Sequence, residues 1–149
     1  MTNKKFFTTQ NNLYVWDSFL EIMDVEKETE IEIVDYFDLE KSYPDREIEQ
    51  KPVSLSTVRS LIEMQSNGEA GQLLTNGRAN LFYVVGKNEE LFVVNVSLDT
   101  DDREWGVNAW RRGGYGRWPA GYRVFRNTLD LEQAIKVCKN NGLTVTKIY

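Results

Sequence analysis

Residues 103–126 gather six arginines (Arg103, Arg111, Arg112, Arg117, Arg123 and Arg126) with Trp105, Trp110, Tyr115, Trp118, Tyr122 and Phe125, and they hold one acid, Glu104, and no lysine. Arginine beside Trp and Tyr is a composition of recognition, because planar groups cover much area with few rotatable bonds. The same atoms suit single-stranded nucleic acid, where bases stack on rings and guanidinium groups meet phosphates. Trp110, Arg111, Arg112, Tyr115, Arg117 and Trp118 are the candidate binding residues. Within them, Arg111-Arg112-Gly113-Gly114-Tyr115-Gly116-Arg117 could form an anion-binding nest of backbone N–H groups. It matches neither the phosphate loop Gly-x-x-x-x-Gly-Lys nor the dinucleotide pattern Gly-x-Gly-x-x-Gly. The plainer reading is a glycine-rich hairpin loop with its aromatics in the core and its arginines solvated. Trp105, Val107 and Phe125 belong to the core on either reading.

Catalytic chemistry finds little else to use. The chain has no histidine, which removes the usual general base near neutral pH and the commonest transition-metal ligand. The lone cysteine, Cys138, allows no intrachain disulfide and no cysteine-based zinc site. Asp99, Asp101 and Asp102 resemble the start of a calcium loop but lack its glycine at the sixth position and glutamate at the twelfth, so a polar turn is expected. Glu26, Glu28, Glu30, Glu32, Asp35, Asp38 and Glu40 could form an acidic ladder facing a basic partner; an exposed strand face kept charged against edge pairing explains them as well. No pair of carboxylates stands out for acid–base work. No metal and no cofactor is expected.

The elements that must position these residues follow from periodicity. Leu13, Trp16, Phe19, Leu20 and Met23 repeat at helical spacing after Asn11 and Asn12, which predicts a first helix over 12–24. Residues 30–37 are β-branched and alternate at Ile31 and Ile33, which predicts a strand with its glutamates outward. Residues 41–52 are polar, contain Pro44 and Pro52, and read as a loop. Ser54 or Ser56 can cap a second helix carrying Leu55, Val58, Leu61, Ile62 and Met64, stopped at Asn67-Gly68. After a connector over 71–80, Leu81–Val85 and Leu91–Leu98 predict a hairpin turning through 86–89. A third strand over 104–110 puts Trp105, Val107 and Ala109 on one face, and 122–125 reads as a fourth. Asn127 or Thr128 caps a third helix stopped at Asn141-Gly142, and residues 143–148 close as a strand.

Strands in a meander with helices outside them predict an α+β fold, mainly an antiparallel sheet with about three helices packed against it. A mixed sheet results if the terminal helix–strand unit inserts parallel. The length of 149 residues suits a single domain over 1–149. With 41% hydrophobic and 28% charged residues, the chain has ordinary globular composition. The net charge of −5 is polarised: residues 1–52 hold 6 Lys/Arg against 13 Asp/Glu, whereas residues 99–149 hold 9 against 6. Such a chain offers an acidic and a basic end to partners. No run reaches the roughly 18 apolar residues of a membrane span, and the Met-Thr-Asn-Lys-Lys-Phe-Phe start lacks the longer apolar stretch expected of a secretory signal. A cytoplasmic protein is expected.

The stretch Trp105-x-Val107-x-Ala109 followed by Trp118-x-x-Gly121-x-Arg123-Val124-Phe125 resembles one in small, uncharacterised proteins of tailed bacteriophages. The resemblance spans about 20 residues and carries over no site. It implies a phage-encoded accessory protein, acting in the bacterial cytoplasm on a host or phage protein. The expected function is therefore a non-enzymatic interaction protein or inhibitor that binds a host protein or nucleoprotein complex through the Arg/Trp segment. A single-stranded RNA- or DNA-binding protein is the alternative, and a histidine-free enzyme using carboxylates or arginines is a third.

Overall fold

The computed structural model describes residues 13–24, 29–48, 51–113 and 116–128. Among them the elements run β1 (Leu13–Val15), α1 (Asp17–Ile22), β2 (Val34–Asp38), β3 (Tyr43–Pro44), α2 (Leu55–Met64), β4 (Asn80–Val85), β5 (Leu91–Asp99), β6 (Glu104–Arg111), β7 (Arg117–Trp118) and β8 (Arg123–Asn127). Six strands form one sheet in the order β1-β6-β5-β4-β8-β2, and β3 pairs with β7 in a small ribbon. The α+β expectation holds. The sheet is already mixed among the described residues, because β1 runs parallel to β6 and β8 parallel to β4. Two α-helices are described; the third expected helix and the closing strand lie outside the described residues.

The expected hairpin is β4–β5, and β5–β6 extends it with Trp105, Val107 and Ala109 buried on one face. Residues 81–84 of β4 are all buried, as a continuous apolar run must be when both faces of a strand are covered. Phe82, Val84, Val94, Val96, Trp105, Val107 and Phe125 pack against α1 and α2. Leu81, Tyr83, Val93 and Val124 face the other way, under Leu39, Ile48 and Trp118. Each large apolar side chain fully buried here contributes about 1.5–3 kcal/mol.

Three expectations need correcting. The first helix does not begin at Asn12: residues 13–15 are strand, and α1 is only Asp17–Ile22. The outer edge of β6 needs backbone partners, and Leu13–Val15 supply them. The strand expected over 30–37 is shifted to Val34–Asp38. Residues 29–32 are held instead at the start of α2, where Thr29 N donates to Ser56 Oγ (2.9 Å), Glu32 N donates to Thr57 Oγ1 (3.0 Å) and the Glu32 carboxylate accepts from Ser54 N (2.9 Å). Finally, β8 does not continue the meander beside β6. The chain crosses the Leu81, Tyr83 and Val93 face of β5 and β4 as β7, leaves Trp118 there, and returns on the far side of β4. The helix after Pro52 fits its expectation: Ser54 caps it by accepting from Thr57 N (3.1 Å), and Gly68 takes the left-handed conformation (φ 76°) past its end.

Candidate functional site

The Arg/Trp segment is organised around Asp45, a carboxylate with no exposed surface in the polar stretch 41–52. Its Oδ1 accepts from Tyr83 Oη (2.8 Å) and Trp118 Nε1 (3.0 Å), and its Oδ2 from Gly113 N. Its own N–H donates to Gly116 O (2.7 Å). Burial, then the hydrogen bond to Asp45, pushes the Tyr83 phenol well above its ordinary value, which keeps it a donor. Gly113 and Gly116 adopt the left-handed backbone (φ 82° and 99°). The protein's own carboxylate takes the Gly113 N–H that an anion-binding nest would offer; the rest of the expected nest, Gly114 and Tyr115, lies outside the described residues.

The six candidate residues separate accordingly. Trp118 is fully buried, with its ring centroid 5.8 Å from those of Trp110 and Tyr122; it is core and offers a partner no contact surface. Arg111 is exposed and pairs with Glu90 (2.6 Å). Arg112 is half-buried and donates to Arg46 O (2.6 Å). Arg117 is exposed, with Nε donating to Ser42 Oγ and Nη2 to Ser42 O, both at 3.1 Å. Trp110 is half-buried. Tyr115 lies outside the described residues.

Of the acidic ladder, Glu32 is held at the start of α2 and Asp35 and Asp38 pair with arginines, whereas Glu26 and Glu28 lie outside the described residues. In the β2–β8 pairing Asp35 stands opposite Arg126 and Asp38 opposite Arg123. Arg126 Nε meets Asp35 Oδ1 at 2.7 Å, and Arg123 Nε meets Asp38 Oδ1 at 2.6 Å with its guanidinium 4.0 Å over the Tyr36 ring. The Arg123 hydrogen bond holds the Asp38 carboxyl below its usual range. Asp99 Oδ1 accepts from Asp101 N (2.9 Å) and Asp102 N (3.2 Å), the polar turn expected there. Among the described residues no three acidic, histidine or cysteine side chains gather as a metal site.

Among the described residues, the face of the sheet that carries Trp118 is covered over only half its width. Over β5, β6 and β1 it presents Asn95, Ser97, Gly106, Asn108 and Trp110, rimmed by Tyr14, Trp16, Asp99 and Glu104 around a shallow cavity of about 320 Å³. Tyr14 and Trp16 are each 47% exposed and meet edge to face, centroids 5.1 Å apart. Gly106 lies directly beside Tyr14 in the register, and a Cβ there would touch only Ser97 O, at 3.9 Å. The Asn95 Oδ1 atom is buried and has no hydrogen-bond partner among the described residues. Helical spacing hid this surface, because Trp16 fits a helix stripe with Leu20 and Met23. The signal available was the alternation of Leu13, Tyr14, Val15 and Trp16, which as a strand puts both rings on one side.

Among the described residues no helix is long and apolar enough to cross a membrane. No family model, no curated protein and no solved structure matches the chain.

Proposed function

We propose that the protein is a non-enzymatic interaction module that binds a partner protein through the half of its sheet face left uncovered among the described residues, with Trp110 joining that surface to the Arg/Trp segment. One observation carries the reading: Tyr14 and Trp16 stand exposed in edge-to-face contact over an open cavity, on the sheet face whose other half, among the described residues, packs around Trp118. Rigid, exposed Trp and Tyr beside polar groups are typical interface anchors, each able to contribute about 2 kcal/mol or more. The resemblance to small tailed-phage proteins supports the setting, an accessory protein or inhibitor meeting a host protein or nucleoprotein complex in the bacterial cytoplasm. Exposed rings on a sheet also favour a second reading, single-stranded nucleic acid stacked on Tyr14 and Trp16. Asp99, Asp101, Asp102 and Glu104 at the same end of the β5–β6 hairpin repel phosphates and weigh against it.

The test is partner capture from bacterial lysate with the wild type and with the Tyr14→Ala/Trp16→Ala double variant. The wild type is expected to retain a protein that the double variant loses, while the thermal midpoint stays nearly unchanged. Capture that is indifferent to both rings overturns the reading. Salt-sensitive fluorescence anisotropy on single-stranded oligonucleotides, lost in the same variant, would establish the nucleic-acid reading instead.

A further inference from the structure

We infer that the cavity between Tyr14, Trp16 and Trp110 is a guanidinium site, which receives an arginine side chain of the partner protein. The inference rests on the interaction reading above and assigns its chemistry. Hydrogen-bond acceptors dominate the rim. Among the described residues the Glu104 carboxylate has no hydrogen-bond or ion-pair partner, and Asp99 spends only Oδ1, on the Asp101 and Asp102 amides, leaving Oδ2 to the outside. The cation closest in sequence, Arg103, is turned away and donates to Gly68 O. At the floor, Asn95 Oδ1 is an acceptor without a donor; its terminal amide torsion is broad and two-fold, so a donor in the cavity can draw the oxygen outward. Two exposed rings and a half-buried third complete the lining.

Carboxylates, an unpaired amide oxygen and aromatic faces together select a ligand that is cationic, rich in donors and flat. A guanidinium has five N–H donors in a plane, stacks on aromatic faces and is weakly hydrated for a cation. An ammonium offers three donors and no plane, and an anion would meet Asp99 and Glu104 as like charges. A cavity of about 320 Å³ is at the lower limit of ligand sites, enough for the end of one side chain. The surrounding Asp101 and Asp102 extend the negative field outward, so the segment bearing the arginine is basic.

The assignment is tested with a short glycine-flanked peptide carrying two arginines, and with the same peptide carrying citrulline, which keeps the shape and removes the charge. Millimolar arginine peptide is expected to move the Trp16 indole N–H and Asn95 side-chain amide resonances in ¹H–¹⁵N spectra. The citrulline peptide should bind at least about tenfold more weakly, the equivalent of 1.4 kcal/mol. Asp99→Asn/Glu104→Gln should bring arginine down to the citrulline level. Gly106→Leu should abolish both responses; its φ lies outside the left-handed region and a Cβ there makes only an ordinary contact with Ser97 O, at 3.9 Å, so the fold is retained. Equal binding of the two peptides, shifts that survive Gly106→Leu, or no shifts with arginine each overturn the guanidinium assignment. If arginine fails while partner capture still depends on Tyr14 and Trp16, the interaction module stands and only its ligand chemistry falls. If arginine binds while capture ignores both rings, the interaction reading falls instead.

Discussion

Asp45 shows how one buried carboxylate can set the conformation of a loop distant in sequence. Its side chain collects donors from Tyr83, 38 residues away, and Trp118, 73 residues away, and the Gly113 amide closes the set. Hydrogen bonds to a charged acceptor contribute more than neutral ones, and donors left unpaired in a buried site carry the full desolvation cost. Asp45→Asn presents an amide N–H₂ to one of these donors. It is expected to cost about 2–3 kcal/mol, or about 4–10 °C in thermal midpoint for a chain of this size, read by calorimetry. Nothing local in Tyr43-Pro44-Asp45-Arg46 marks this residue. It is one acid among 23, and only the partners brought to it distinguish it.

At the level of elements, the arginines that looked alike in sequence divide by the strand or loop that carries them. Arg123, on β8, is held by Asp38, by Gln72 O (2.7 Å) and by the Tyr36 ring. Arg111, at the end of β6, makes one exposed pair with Glu90. Arg123→Ala is expected to cost about 1–2 kcal/mol, discounted because Asp38 is half exposed, and Arg111→Ala less than about 0.5 kcal/mol. Chemical denaturation of the two variants side by side checks the difference. The failure at the first helix has the same origin. Residues 13–23 satisfy a helical stripe, yet the unpaired edge of β6 takes Leu13–Val15 as a strand and leaves α1 six residues long. Local periodicity was outweighed by backbone hydrogen bonds that only a distant strand could supply.

For the whole molecule, stability should be graded from β4 outward. Among the described residues β4 pairs with β5 and β8 and is buried on both faces, whereas β1 is three residues at an edge and β7 only two in a separate ribbon. Native-state hydrogen exchange is expected to find the amides of Phe82, Tyr83 and Val84 opening only with global unfolding and those of β1 and β7 exchanging far faster. Exchange of β1 as slow as that of β4 would contradict this gradient. The charge polarity of the chain also acts at this scale: acids Asp35 and Asp38 from the first third meet Arg126 and Arg123 from the last. Part of the acidic and basic character that suggested separate docking ends is therefore joined within the fold.

The sequence by itself determined the α+β class, the β4–β5–β6 meander, the presence of α2 after Pro52 with Ser54 as one of two candidate caps, and the burial of Trp105, Val107 and Phe125. These depend on alternation, helical spacing and caps, which act over a few residues and are written locally. Tertiary structure decided that β8 joins β4 in parallel, that Trp118 is core, that the glycine-rich loop closes on Asp45, and that Tyr14 and Trp16 share a face with Trp110. Each of these depends on which backbone edge or buried acceptor is left without a partner once the rest of the chain has packed. That need exists only in three dimensions, so it leaves no mark at the residues that answer it.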